Sequence, residues 1–261
     1  MLVLKLALVA FSVWLSTFAA KRFGHAVGGA VAGLPLIAAP IIAILLADQG
    51  TQQVRAIALA TLVCVPAAIA HIVASAHAAR RFAWPVGLAI ALTVFGLAGT
   101  LLTRLALPVA AVCVLALAAP SIGLALIPRG TQARGPVAVP RIEFVLRIAA
   151  ALAMAATIIL GADTLPSSIS GLLLAVPITG SVLPWFTLPR YGAAATVALM
   201  GGFVQGLHGF AAFFLVLYIA LGWLGGAAAF CLALAAAFAT ALAVQGVRRW
   251  RTRQPARKTP A

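Results

Sequence analysis

The stretch AVAGLPLIAAPIIAILLADQG, residues 30–50, holds a glycine and two prolines inside an otherwise apolar run. A helix that crosses a bilayer needs about 20 apolar residues, so the run is long enough to span a membrane. Proline lacks an N–H and clashes with the preceding helical turn, and glycine leaves the backbone exposed. The stretch therefore predicts a membrane helix that is interrupted near its middle.

Interrupted apolar segments recur along the chain. Pro66 lies within the next apolar run, the stretch SGLLLAVP (170–177) contains a glycine and a proline, and GLHG (206–209) places a histidine between glycines. In lipid, each backbone polar group without a partner costs several kcal/mol, so carbonyls freed at such points need protein, water or a solute as partner.

The composition is that of a membrane protein. Hydrophobic residues make up 64% of the 261 positions and charged residues 8%, and the mean hydropathy is +1.17. A soluble domain needs a polar surface that this composition does not supply. Because the apolar runs are continuous rather than alternating, they predict helices and exclude a transmembrane barrel.

We therefore predict an all-α, polytopic transmembrane helix bundle. Its nine predicted helices cover residues 2–20, 25–47, 54–78, 82–103, 105–127, 142–162, 165–188, 193–221 and 223–247. The first helix is predicted to be retained rather than cleaved as a signal peptide. Residues 1–127 form a first half of five helices, 128–141 a cytoplasmic linker, 142–247 a second half of four helices, and 248–261 a basic, disordered cytoplasmic tail.

The Lys and Arg residues orient this bundle, because they accumulate on the cytoplasmic side. With nine helices and the N-terminus outside, 15 of the 18 cations fall on the cytoplasmic side and 3 outside. Dividing residues 193–247 into three short helices gives ten crossings and a split of 9 to 9. Nine crossings are therefore favoured, and the C-terminus is predicted to be cytoplasmic.

An odd number of helices in the first half makes any duplication antiparallel, so the matching interruptions predict that the two halves are inverted repeats. The predicted alignment, with gaps, pairs residues 32–34 with 170–172 and Pro40 with Pro177. It then pairs Gly50 with Gly192 and places Pro66 opposite His208.

The interruptions support two interpretations. Discontinuous helices in transporters expose backbone ends that bind a solute near the midplane. Alternatively, the glycines and prolines serve only kinks and close helix packing. Under the first interpretation, the candidates for a substrate pathway are Gly33, Pro35, Pro40, Pro66, His71, Gly171, Pro177, Gln205, Gly206, His208 and Gly209.

The histidines have polar neighbours on their own helices. Gln205 lies one turn before His208, and Ser75 one turn after His71. Such pairs can bind a polar solute or relay a proton, because imidazole titrates near physiological pH. The alternative for His208 is a neutral ring that bonds a neighbouring carbonyl and Gln205.

Catalytic and metal sites are not indicated. The three acids lie at predicted helix ends, the three cysteines lie singly in apolar runs, and no catalytic or metal-ligand motif occurs. The sequence leaves open one catalytic arrangement, a pairing of Ser181 with His208, since a serine nucleophile needs an adjacent base. We predict no enzymatic activity, no cofactor and no metal.

The tail is predicted to lie on anionic lipid headgroups, because it carries six cations. We predict no nucleic-acid partner, since the cations are spread along the chain as topology signals. The predicted location is the inner membrane of a bacterium, and a homo-oligomer is an open alternative to a monomer.

The motif AGLPLIAAP (32–40), the triplet DQG (48–50), Arg55-Ala56 and Pro66 resemble the GlpM-type family of small bacterial membrane proteins. The resemblance covers residues 21–80 and implies a bacterial membrane protein without catalytic residues. That family is a half-sized, four-helix set linked to exopolysaccharide production, whereas this chain has a second half. Duplicated units of the drug/metabolite transporter superfamily are similar in architecture only.

Together these patterns predict a small-solute transporter that works by alternating access between inverted repeats. The alternative is a non-transporting envelope protein that assists polysaccharide or lipid assembly.

Overall fold

A computed structural model describes residues 24–128, 141–161 and 164–253, together with positions 7, 10, 11, 14, 18 and 22. Most of the predicted first helix, most of the predicted linker and the end of the predicted tail lie outside the described residues. The described residues form α-helices joined by short turns, with no strand among them. In chain order the helices are α1 (His25–Ala32), α2 (Ala38–Asp48), α3 (Gly50–Ala78), α4 (Trp84–Arg104), α5 (Val109–Leu126), α6 (Arg141–Leu160), α7 (Ser167–Ala175), α8 (Ile178–Ala220) and α9 (Gly226–Arg253).

Five helical segments are long and apolar enough to cross a membrane. They are Gly50–Ala78, Trp84–Arg104, Val109–Leu126, Ser167–Ala220 and Gly226–Val247. Large apolar side chains also cover the outside of the bundle, where Leu97 and Leu242 are each 69% exposed. Hydrocarbon is the solvent that suits such a surface. The prediction of an all-helical membrane protein is therefore confirmed.

The core is built around α3 and the second part of α8. A non-helical residue, Gly192, divides α8 into a proximal segment (178–191) and a distal segment (193–220). The largest fully buried side chains lie mostly on α3 and on the distal segment, among them Leu62, Ile72, Phe213 and Leu217.

The two central helices run antiparallel. Near the beginning of α3, the guanidinium of Arg55 donates to the carbonyl of Tyr218, near the end of α8, at 3.1 Å. The same guanidinium lies over the Tyr218 ring, 4.6 Å from its centroid. Halfway along, Gly123 of α5 packs against both Ile69 of α3 and Val204 of α8.

Each half of the chain sends a short helix onto the central helix of the other half. A Cβ on Gly29 of α1 would collide with the Leu199 carbonyl, and one on Gly206 would collide with the Ala30 carbonyl. On α7, a Cβ on Gly171 would lie 2.7 Å from the backbone of Ala60 and Thr61. These glycines allow backbone to pack on backbone, as small residues do in membrane helices.

The described boundaries recur at one constant interval along the chain. Gly50 and Gly192 have φ values of 78° and 77° and precede the two central helices. The central helices end at Ala78 and Ala220, which are separated by the same number of residues as the two glycines. We call the separation of Gly50 from Gly192 the common interval.

The turns after the central helices also follow the common interval. Residues 79–82 and 221–224 have the same four backbone hydrogen bonds. The next helices, α4 and α9, begin at Trp84 and Gly226, again one common interval apart. The two stretches therefore share their boundaries and turns, although their side chains differ.

The common interval corrects the predicted alignment in its first part. The pairs Gly50 with Gly192 and Pro66 with His208 agree with it. However, it aligns Gly171 with Gly29 rather than Gly33, and Pro177 with Pro35 rather than Pro40. The physical reason is that the backbone hydrogen bonds around Pro35 and Pro177 repeat at the common interval, whereas the predicted pairing matched residue letters.

Several helix boundaries differ from prediction, and α3 begins at Gly50 rather than at residue 54. The predicted helix 105–127 begins only at Val109, because Ala106 has a φ of 43° and Pro108 takes an extended N-cap conformation. At the other end of the chain, α9 continues to Arg253, beyond the predicted end at residue 247.

Candidate functional site at two helix breaks

The first break separates α1 from α2 and contains Pro35. In a continuous helix the N–H of residue 35 would donate to the Val31 carbonyl, but Pro35 has no N–H. The Leu34 N–H donates to this carbonyl instead. The Leu36 N–H then turns back to the Leu34 carbonyl, at 2.7 Å. The Ala32 carbonyl thereby loses its helical donor, which would be the N–H of Leu36.

The second break separates α7 from α8 and repeats this pattern around Pro177. The Val176 N–H donates to the Leu173 carbonyl, three residues back, and to the Leu172 carbonyl. The Ile178 N–H donates to the Val176 carbonyl at 2.8 Å, so the Leu174 carbonyl loses its helical donor. Leu174 follows Ala32 by the common interval, as Pro177 follows Pro35.

Both breaks line one small cavity of about 50 Å³. Its wall includes residues 32–34 and 36–38 from the first break and residues 174–178 from the second. Phe203, Leu207 and Phe210 of α8 complete it. The two carbonyls without helical donors therefore belong to residues on the wall of the same cavity, and a volume of this size admits water.

The predicted candidates include cavity residues and packing residues, and Gly33 is both, because a Cβ on it would collide with the Phe203 carbonyl. Gly33 and Pro177 line the cavity, and Pro35 lies buried in the first break. Gly171, Gly206 and Gly209 lie at helix contacts instead, where a Cβ would approach the backbone of Ala60, Ala30 and Ala237 respectively.

The other two prolines occupy helices. Pro40 is the third residue of α2, in the first turn of the helix, where proline is tolerated. Pro66 lies inside α3, where it removes the helical donor of the Leu62 carbonyl.

His71 is completely buried and contacts the second half of the chain. Its Nε2 lies 3.2 Å from the Ser181 hydroxyl, in the first turns of α8 after the break. Its ring meets Phe95 of α4 edge-on. Its Nδ1 is buried and has no hydrogen-bond partner among the described residues.

His208 pairs with a different serine. Its Nδ1 lies 3.2 Å from the carbonyls of Val204 and Gln205 on its own helix, so in the neutral ring this nitrogen carries the hydrogen. Its Nε2 then accepts from the Ser121 hydroxyl of α5, at 3.2 Å. The considered pairing of Ser181 with His208 is therefore wrong, because each histidine has its own serine. Gln205, a further candidate, is partly buried and does not line the break cavity.

Sequence reasoning missed Ser121 and the Ser181–His71 contact. No spacing in the sequence indicates either, since the partners are 87 and 110 residues apart. Within the described residues, no group of three or more His, Cys, Asp or Glu side chains is placed to hold a metal ion.

The site offers backbone groups rather than charged side chains. Carbonyls at the ends of α1 and α7 carry partial negative charge, and the beginnings of α2 and α8 carry partial positive charge. Such ends can bind a small polar solute without a carboxylate.

Fold and site define a helical integral membrane protein with two broken helices that meet at a cavity. A scan against family models, a search of curated proteins and a search of solved structures find no match for the chain.

Proposed function

We propose that the protein is a small-solute transporter of the bacterial inner membrane that works by alternating access between two inverted repeats. One observation carries the proposal: the breaks at Pro35 and Pro177 have the same hydrogen bonding and line the same cavity. Discontinuous helices that meet at a repeat interface are the usual solute site of such transporters.

The direction of the central helices supports the inversion. α3 and the distal segment of α8 correspond at the common interval, and the Arg55–Tyr218 contact requires them to run antiparallel. The charge distribution supports an outside N-terminus and a cytoplasmic C-terminus. In this orientation the basic tail lies on the inner leaflet, against anionic headgroups.

In the proposed mechanism, the solute replaces the missing helical donors at the Ala32 and Leu174 carbonyls. The short helices α1 and α7 then change their angle at the breaks, and the cavity opens to one side of the membrane at a time. Neither Ser/His pair is assigned a catalytic step.

Transport assays in proteoliposomes test the proposal directly. We expect flux of at least one solute from a broad panel of amino acids, organic acids, sugars and inorganic ions. Pro35→Leu and Pro177→Leu should reduce that flux, because leucine restores the N–H that closes the helix. Pro40→Ala is the matched control and should keep full flux. No flux across the panel, with no effect of either leucine variant on cell phenotype, would reject the transporter.

A second candidate is an envelope accessory protein without transport. The observation that favours it is the backbone packing of Gly29, Gly202 and Gly206, beside a cavity of only about 50 Å³. This candidate predicts a stable protein partner in mild detergent. It also predicts that cysteines at Ala175 and Val204 stay unreactive to aqueous thiol reagents, whereas the transporter makes Ala175→Cys reactive.

A further inference from the structure

We infer that the solute is a small anion that enters the break cavity through the crevice between α3, α4 and α8, and that the stacked rings of Trp84 and Trp185 close this crevice. The inference rests on the proposed transport function and specifies the route and the solute charge.

The two tryptophans form a lid over a small recess whose wall contains two serines. Their ring centroids are 4.1 Å apart and their planes differ by 13°. The recess beneath them, about 20 Å³, is lined by Ser75, Gly180 and Ser181, among others. By contrast, Trp223 is 87% exposed, as expected for a tryptophan that only anchors the membrane interface.

Polar groups continue from this recess to the break. Ser75 and His71 lie one turn apart on the same face of α3, and both are buried. His71 contacts the Ser181 hydroxyl, and the Ser181 N–H donates to the carbonyl of Pro177, which lines the break cavity. Hydroxyl and imidazole groups therefore lead from the tryptophan lid to Ser181, one helical turn from Pro177 on the cavity wall.

The corresponding crevice of the other half has no such groups. At the common interval, His71 corresponds to Phe213, Ser75 to Leu217, Ser181 to Ala39, Trp84 to Gly226 and Trp185 to Ala43. Phe213 and Leu217 are fully buried and Ala39 is buried. At these corresponding positions one half of the chain carries hydroxyl and imidazole groups and the other half carries none, so the polar crevice is the route.

The charge at the mouth indicates the class of solute. Arg80 and Arg81 lie in the turn before Trp84, are exposed, and have no ion pair or side-chain hydrogen bond within the described chain. With His77 they line an open cavity of about 380 Å³, which shares no lining residue with the recess and is linked to it only through the turn that leads to Trp84. The acid whose side chain is described, Asp48, lies beyond the opposite end of α3. An unbalanced positive field concentrates anions at an entrance.

Charge-selective thiol labelling tests the route. Cys64, Cys113 and Cys231 are replaced by alanine, and Ser75→Cys or Ser181→Cys is introduced. Inside-out vesicles are treated with a methanethiosulfonate that carries a sulfonate, or one that carries a trimethylammonium group. We expect the sulfonate reagent to react faster by about tenfold, and Arg80→Gln with Arg81→Gln to abolish this preference. Trp185→Phe and Trp185→Ala should raise both rates, by roughly two- to tenfold for the alanine.

Matched controls distinguish the route from the function. Ala39→Cys and Leu217→Cys, at the corresponding dry positions, should stay unreactive, and Leu34→Cys and Val176→Cys report on the cavity itself. If these cavity cysteines never react from either side, the transporter proposal fails. If they react while Ser75→Cys and Ser181→Cys do not, or if the trimethylammonium reagent reacts faster, the proposed anion route is wrong and transport stands. Gel filtration of each variant in detergent confirms that it is folded.

Discussion

Pro35 and Pro177 lie one common interval apart, and each is followed by a residue that donates its N–H to the carbonyl two positions back. Such a bond forms a tight turn of three residues, which cannot continue a helix. Two breaks of identical form, each at the wall of one cavity, indicate that the interruption is a property of the architecture rather than a local irregularity.

Replacing either proline should close its break. In Pro35→Ala and Pro177→Ala, the new N–H can donate to the carbonyl of Val31 or Leu173, and the free energy of unfolding should rise by about 1–3 kcal/mol. Transport should fall in the same variants, because the carbonyls of the break regain helical partners. Pro40→Ala, in the first turn of α2, should change neither. Thermal unfolding in detergent and flux in proteoliposomes are the measurements, and a break variant that loses stability would contradict the assignment.

Gly50 and Gly192, the positive-φ glycines that precede the two central helices, should respond equally to substitution. A Cβ at either position meets nothing within 4 Å, so alanine there adds backbone strain alone. We expect Gly50→Ala and Gly192→Ala each to lower the free energy of unfolding by about 1–2 kcal/mol. Gly225→Ala, in open space but without a positive φ, is the control. Markedly unequal losses would show that the two turns are not equivalent.

Gly206 should tolerate no side chain. A Cβ there collides with the Ala30 carbonyl, so α1 must move away from α8. The expected loss for Gly206→Ala is about 1–3 kcal/mol. Gly96→Ala provides a matched comparison, since a Cβ at Gly96 in α4 meets nothing, and this variant should unfold at the wild-type temperature or above. Equal melting temperatures for the two variants would argue against backbone contact between α1 and α8.

The Ser121–His208 hydrogen bond should appear as a coupling energy. In a double-mutant cycle of Ser121→Ala and His208→Ala, we expect a coupling of about 0.6 kcal/mol and at most about 1.7 kcal/mol. The same cycle with Ser181→Ala and His208→Ala should show no coupling, because Ser181 contacts His71. Coupling in the second cycle but not in the first would overturn the arrangement of the two pairs.

The sequence predicts the elements of this fold better than their partners. The interruptions at Gly33–Pro35 and at Pro177 were recognisable, because proline and glycine act on their own backbone. The correspondence between the two breaks could not be recognised in the sequence, because residues 35 and 40 are both prolines. Only the backbone hydrogen bonds distinguish Pro35 from Pro40.

Contacts between distant helices carry no sequence signal in a chain of this composition. Ser121 and Ser181 each meet a histidine on a helix far along the chain, and both serines stand in apolar runs with no distinguishing pattern. The start of α5 at Val109 could likewise not be predicted, because Ala106, which has a left-handed backbone conformation, occurs in a run of apolar residues.

α5 packs against both central helices: Gly123 touches Ile69 and Val204, and the Leu126 carbonyl accepts a hydrogen bond from His77. Together with α6, it lies between the two stretches that correspond at the common interval. Each crossing reverses the direction in which the rest of a chain is threaded through the membrane. In the proposed arrangement, a chain without these 18 residues would insert its second stretch in the opposite direction, and Arg55 and Tyr218 would lie on opposite faces of the bilayer. α5 is thus the additional membrane crossing that, in the proposed arrangement, inserts the second stretch of the chain with the opposite orientation to the first.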